Sequence, residues 1–389
     1  MSAIAQCDVA VVGGGLVGAA AALGFAQQGL TVQLLERGGP TPRVLDAGDD
    51  YDLRVYALAP SCVALLERLG VWPEVQAVRS SPYQRMQVWE SEAERALRFD
   101  AGDARVPALG HIVESGLLAD VLWRHLPAGV ARAGVQVAAV ASDDAGAELR
   151  LDDGGTLRTR LLVIAEGRES RLRAALGIEA LSAQYEQTAV VCHVRTERPH
   201  RQTAWQRFLP TGPLALLPLA DGRSSIVWSS TAAEALLALD DESFCRALGE
   251  ASQHVLGAIT GCTRRVQFPL ALQHAERYVA GCAVLVGDAA HVVHPLAGQG
   301  VNLGFGDVAV LLDTIAAARA ESRDWAAPRV LKRYERARRA DVLDMLAVTD
   351  GLYRAFRVPG AGRLRDAGLA AVNAVAPLRR ELVRRAIGA

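Results

Sequence analysis

Apolar positions along the chain come in three textures, and each predicts a different kind of element. The first is the short, mainly apolar run without charge: Val9 to Val12, Thr31 to Leu35, Leu161 to Ala165 and Ala283 to Val286. Runs of this length, rich in β-branched residues, read as strands covered on both faces, as in a parallel sheet. The second texture has helical spacing. Leu16 to Gln28 is Ala-rich, Pro60 to Leu69 is amphipathic with Gly70 just beyond it, and Leu117 to Leu126 is a third helix. Longer helices are expected from about 301 to 320 and 328 to 356, the charges between Arg329 and Asp344 suiting a solvated face. The third texture is strand-like alternation punctuated by Trp205, Phe208, Pro210, Pro213, Pro218, Trp228 and Phe268, expected to form a second sheet between about 184 and 269. Val135 to Arg160 reads as a hairpin turning at Asp152-Asp-Gly-Gly155.

Val9 to Leu35 holds no charged residue and is long enough to cross a bilayer. Its punctuation argues against that. Gly13, Gly14 and Gly15 follow the first strand directly, and Gln27-Gln28-Gly29 closes the helix, so strand, helix and strand account for the whole stretch. In this βαβ unit Gly13-x-Gly15-x-x-Gly18 occupies the strand-to-helix turn, where glycine permits a tight turn and lets backbone N–H groups approach a pyrophosphate. Glu36 ends the second strand, placed to accept hydrogen bonds from a ribose. An acid there predicts free ribose hydroxyls, hence FAD or NAD and not NADP.

Composition narrows the function classes. At 389 residues and 51% hydrophobic the chain has room for two or three domains at roughly 100–200 residues each. A net charge of −1 gives no footprint for nucleic acid. Cys7, Cys62, Cys192, Cys245, Cys262 and Cys282 are scattered without a C-x-x-C pair, so reduced thiols and no metal are expected. Met1 to Asp8 carries no basic residue, as a secretory leader would, which predicts the cytoplasm. From Gly351 to Ala389 the balance turns basic: Arg354, Arg357, Arg363, Arg365, Arg379, Arg380, Arg384 and Arg385 stand against Asp366 and Glu381. That segment is either a solvated surface or a docking element for anionic lipid or a partner protein.

Leu285-Val-Gly-Asp-Ala-Ala-His291 and His294-Pro-Leu-Ala-Gly-Gln-Gly-Val-Asn-Leu-Gly304 resemble the signature of the FAD-dependent hydroxylases of ubiquinone biosynthesis. Arg54-x-x-Ala-Leu58, Ser81-Pro-Tyr83, Arg207-Phe-Leu-Pro-x-Gly-Pro213, Phe268-Pro-Leu and His274-Ala-x-x-Tyr278 extend the likeness over nearly the whole chain. The resemblance implies a flavoprotein aromatic monooxygenase with the para-hydroxybenzoate hydroxylase fold, of class α/β. Its Rossmann-like FAD-binding domain (1–80, 108–183 and 270–349) is interrupted by a mixed β-sheet substrate domain (81–107 and 184–269), with a basic helical C-terminal region (350–389). It further implies NAD(P)H and O2 as co-substrates, oxygen delivered through a C4a-hydroperoxyflavin, and a polyprenyl phenol or quinol as the partner molecule. A ubiquinone-biosynthesis protein complex and peripheral membrane contact belong to the same expectation.

The implied FAD contacts are Gly13, Gly15, Val17 and Gly18, then Glu36 and Arg37, Arg54 and Ser115, and Glu166 and Gly167. Gly287 and Asp288 would meet the ribityl hydroxyls; Pro295, Gly298, Gln299, Gly300, Val301 and Asn302 would lie at the isoalloxazine, the helix from Val301 aiming its positive end at the reduced ring. Phe208, Leu216, Pro218 and Pro295 are expected to wall an apolar substrate pocket. No catalytic side chain is assigned, since the chemistry belongs to the flavin, and His291 and His294 read as structural hydrogen-bonders. His274 and Tyr278 read as packing residues, and Trp205 and Trp228 as core.

Two positions depart from the family pattern. Glu166-Gly167 replaces the usual Asp-Gly, and Ser115 stands where relatives often place Asn or Arg, so it supplies a hydrogen bond without charge. Other readings remain beside the main one: a hydroxylase of a soluble aromatic, a prenyl reductase of the same fold, or a non-catalytic FAD-containing scaffold. The Trp-x-Trp-x-Ile-Pro motif of flavin halogenases is absent.

Overall fold

The computed structural model describes residues 4–39, 50–293 and 299–357. In chain order its elements begin with β1 (Ala5–Val12), α1 (Leu16–Gln27), β2 (Val32–Glu36), β3 (Val55–Leu58), α2 (Pro60–Arg68), α3 (Trp72–Val78) and β4 (Ser81–Tyr83). Next come β5 (Arg85–Trp89), β6 (Leu97–Asp100), α4 (Ala101–Ala104), β7 (Gly110–Glu114), α5 (Ser115–Arg124), β8 (Ala131–Ala133), β9 (Val137–Ser142), β10 (Ala147–Leu151), β11 (Thr156–Ile164) and α6 (Arg171–Ala175). Then follow β12 (Ala180–Thr196), β13 (Thr203–Leu209), β14 (Gly212–Pro218), β15 (Ser224–Ser230), α7 (Ala233–Ala238), α8 (Asp241–Ala251), β16 (Ile259–Cys262) and β17 (Val266–Ala275). The series closes with β18 (Val279–Ala280), β19 (Ala283–Leu285), β20 (His291–Val292), α9 (Gln299–Ala320) and α10 (Pro328–Arg357).

The four apolar runs become neighbours. β1 lies between β2 and β11, parallel to both, and β19 pairs parallel with β11. Their buried side chains join α1, α2, α5 and α9 in one continuous core, which is why the runs read as apolar on both faces. The second sheet runs β20-β17-β12-β15-β14-β13-β5-β6. β4 pairs instead with β7 in a small sheet with β3 that packs between the two large ones.

Three expectations need correction. Thr156 to Ile164 is one strand, so the Asp152–Gly155 turn joins β10 directly to the buried parallel strand β11. The segment 184–269 is not all strand, for α7 and α8 lie within it. Asp240 accepts a hydrogen bond from Ser243 N (2.7 Å), acids fill the first turn of α8, and Phe244, Cys245 and Leu248 make its buried stripe. Third, the charged face of α10 is not all solvated: Glu335 and Arg338 are buried. Gly300–Ala320 is long and apolar enough to cross a membrane, yet it packs against α1, α2 and α10 as a core helix. Of the basic segment 350–389, residues beyond Arg357 lie outside the described residues.

Candidate cofactor and active site

Not all the glycines of the first turn do the same thing. Gly13 adopts φ +105°, and a Cβ there would stand 2.4 Å from Ala165 O; a Cβ on Gly18 would stand 1.8 Å from Gly13 O. Both glycines therefore let α1 pack against β1 and the end of β11. Gly15 has ordinary φ (−64°), and no atom of the described residues lies within 4 Å of its would-be Cβ. Among the described residues no side chain caps α1 at this end, and no acid occupies its first turn. Open room before an uncapped helix N-terminus suits a pyrophosphate. Beside it the Glu36 carboxylate accepts from Gly14 N and from Gly38 N (2.8 Å), and Trp123 Nε1 donates to Gly14 O (2.7 Å). Arg37 follows, exposed.

Val17, in the first turn of α1, is where the distant motifs meet. Its methyls lie 3.2 Å from a would-be Cβ of Gly287, which has φ +60°, and 2.6 Å from one at Gly304 of α9. The strand-end turn at Gly287-Asp288, the start of α9 and the first glycine turn thus form one continuous wall. Asp288 is exposed to solvent, yet burial by the protein around it pushes its carboxyl above the usual carboxylate range, against the pull of His291, Arg54 and Arg168.

Arg54 lies over the Tyr56 ring (5.4 Å to its centroid), and Ser115, the first residue of α5, donates its N–H to Arg54 O (2.9 Å). Burial raises the Tyr56 phenol, with Arg54 and a hydrogen bond from Ser115 opposing. Arg54, Tyr56 and Ser115 thus cluster where β3 meets the start of α5. Glu166 has a local role: its Oε2 accepts from Ser170 Oγ (2.6 Å) and Leu172 N (2.9 Å) and so caps α6, while Gly167 turns at φ +86°. The Asn302 amide is engaged with backbone, accepting from Ala59 N (3.0 Å) and donating to Ala57 O (2.8 Å), which locks α9 to the β3–α2 junction. Among the described residues nothing lies within 4 Å of a would-be Cβ on Gly300, and Val301 packs on the core. His294, Pro295 and Gly298 lie outside the described residues, as does the Gln299 side chain.

The second sheet has two faces. Leu214, Leu216, Ile226 and Trp228 pack against Phe244 and Leu248 of α8. Ala204, Ala215, Leu217 and Val227 face Ala57 and Ile112 of the first domain. Leu216 is thus on the far side and cannot wall a pocket next to the flavin; side chains alternate along a strand, and Pro218 shares its side. Phe208 is on the near side, packed with Val88. At the His193 end of this face a cavity of about 880 Å3 is lined by Tyr51, Arg79, His193, Asp221 and Arg223.

Sequence reasoning missed Asp307, Arg338 and Trp123. An acid in the middle of the apolar run Val301–Ile315 was a usable signal for the first, since a buried charge needs partners. The residues present fit FAD: a helix end without a side-chain cap among the described residues, the Glu36 carboxylate at the end of β2, and exposed Asp288 beside Gly287, which packs on Val17 of the same helix.

This arrangement is that of an FAD-binding protein, and the relatives below place it among the flavoprotein monooxygenases. The solved structures agree on the fold: p-nitrophenol 4-monooxygenase PnpA of Pseudomonas putida superposes with a TM-score of 0.77 over 98% of this chain and 97% of that one, at 19% identity. PqsL of P. aeruginosa superposes at 0.74 over 94% and 99%, at 24% identity. Residues 6–349 match the family described as FAD binding domain. 3-Demethoxyubiquinol 3-hydroxylase of Escherichia coli is 38% identical over 98% of both chains, and ubiquinone hydroxylase UbiL of Rhodospirillum rubrum is 39% identical over 100% of this chain and 91% of its own. Human COQ6, a ubiquinone biosynthesis monooxygenase, is 35% identical over 97% and 91%. The chain belongs to the FAD-dependent hydroxylases of ubiquinone biosynthesis within the FAD binding domain family.

If Glu36 holds the ribose, Glu36→Ala is expected to weaken FAD binding by roughly ten- to a hundredfold, since a charge-assisted hydrogen bond contributes ~1.5–3 kcal/mol. Titration of apoprotein with FAD measures it; unchanged affinity would place the ribose elsewhere.

Proposed function

We propose that this enzyme adds a hydroxyl group to the aromatic ring of a polyprenylated phenol or quinol precursor of ubiquinone. One oxygen atom of O2 enters the ring, the other leaves as water, and NAD(P)H supplies the electron pair. The observation that carries the reading is the end-to-end likeness to relatives named for ubiquinone-precursor hydroxylation, joined to the packing of Val17 in the first glycine helix against Gly287 and Gly304.

FAD, when bound, supplies the activation of O2. The chain's residues do the rest. The α1 N-terminus holds the pyrophosphate, Glu36 the adenosine ribose and Asp288 the ribityl hydroxyls, while the first turn of α9 favours negative charge at the reduced ring. Half-buried Ala215 and Val227 are apolar residues on the domain-facing side of the sheet, suited to helping position an aromatic ring and exclude water. The basic segment 350–389 is read as a docking element for anionic lipid, because a polyprenyl substrate resides in a bilayer. Truncation after Arg357 is expected to abolish co-sedimentation with anionic liposomes; full retention would remove this role.

Deleting the gene in its host and identifying the accumulated quinone precursor by mass spectrometry tests the substrate class. The expected precursor is a prenylated phenol lacking one ring hydroxyl. Wild-type ubiquinone with no accumulated precursor would contradict the reading, and a yellow protein that oxidises no NAD(P)H with any precursor would favour a scaffold.

A further inference from the structure

We propose that Asp307 is a positioning residue that fixes the Gly287-Asp288 turn, so that Asp288 is presented to the cofactor while the turn stays tied to the substrate sheet. Asp307 is fully buried. Its Oδ2 accepts from Gly287 N (2.8 Å) and His291 Nε2 (2.7 Å), and its Oδ1 accepts from Arg338 Nε (2.7 Å). Each donor sits on a different part of the molecule. Gly287 is one peptide from Asp288, and its N–H direction sets the path of that turn. His291 belongs to β20, which pairs with β17 and through it with β12, the long strands of the second sheet. Arg338 of α10 also donates to Leu303 O (3.2 Å) and to Asp341 Oδ2 (2.7 Å), gripping the first half of α9.

One carboxylate therefore joins the turn, α9, α10 and the substrate sheet. Stability alone is a poor reason for it, because apolar residues of similar volume often replace a buried ion pair at no loss. Geometry is a better reason: three directed bonds on two oxygens leave the turn one position. The inference rests on FAD as the cofactor and not on which ring is hydroxylated, so its failure and that of the proposed function are separable.

The test is a double-mutant cycle on FAD affinity in full-length apoprotein, using Asp307→Asn, Asp288→Asn and the pair. The amide that Asp307→Asn introduces would place a donor against one of the existing donors, breaking at least one bond. Each single change is expected to raise the FAD Kd at least about threefold, and the double variant to stay within about twofold of the worse single, because Asp307 acts through Asp288. The visible circular dichroism of bound flavin should change in the same way in both singles. Effects that multiply, or an Asp307→Asn Kd within about twofold of wild type, would overturn the proposal. Should Asp307→Asn fail to fold, His291→Asn removes one arm only and enters the same cycle under the same criteria.

Discussion

Gly15→Val is expected to leave the protein folded but colourless, while Gly18→Ala is expected to damage the fold itself. The two glycines belong to one fingerprint, yet their surroundings differ. A side chain at Gly15 meets no atom of the described residues within 4 Å at its Cβ, and the backbone there has ordinary φ. It would enter only the space before the α1 N-terminus, and FAD affinity should fall about 100-fold or more, equivalent to ~2.7 kcal/mol. A Cβ at Gly18 would stand 1.8 Å from Gly13 O, so α1 must move off the turn. Overpacking of this kind costs ~1–3 kcal/mol or more, and here backbone must shift, so the upper end applies. Thermal melting of the apoproteins separates the two: Gly15→Val should melt with wild type and Gly18→Ala well below it. Equal melting of all three would mean that neither glycine was needed for packing.

Arg79→Met should be the most destabilising single change between the small sheet and α3. Arg79 Nε lies 2.9 Å from Glu114 Oε2 and its second amino group 3.1 Å from Oε1, and both side chains are buried. The guanidinium also stacks on Tyr51, 4.3 Å from the ring centroid. Asp52 N donates to the same carboxylate (2.7 Å), and His193 of the second sheet reaches Asp52 O (3.0 Å), so the pair anchors the contact between the domains. Removing the cation leaves a buried carboxylate without its counter-charge, at a cost of about 3–5 kcal/mol. Arg79→Met combined with Glu114→Gln removes both charges and should recover much of that loss. Urea midpoints of the two variants decide it; a single variant no weaker than the double would show the pair to be electrostatically idle.

Much of the cofactor half was legible because its signals are local. Val9–Val12, the glycine turn and Glu36 lie within 28 residues, and burial on both faces of β1 makes its run continuously apolar. The helix from Pro60 carries its own start and stop. What failed depended on contacts distant in sequence. Leu216 is a hydrophobic strand residue whichever face it occupies, and only α8 packing behind it tells which. Glu335 and Arg338 look like ordinary surface charges until Tyr278 N donates to the one and Asp307 accepts from the other. α8 was readable, since Asp240-Asp-Glu-Ser243 is a capped, acidic helix start, but the aromatic and proline punctuation around it dominated.

The central claim is that oxygen from O2 enters the ring of a prenylated precursor on this enzyme. The direct measurement supplies the FAD-loaded protein with NAD(P)H, a prenylated phenol or quinol and 18O2, and weighs the product by mass spectrometry. One 18O atom in a new ring hydroxyl, formed together with precursor-stimulated NAD(P)H oxidation, is the predicted result. Oxidation of NAD(P)H that yields only labelled hydrogen peroxide, with every tested precursor unchanged in mass, would contradict it.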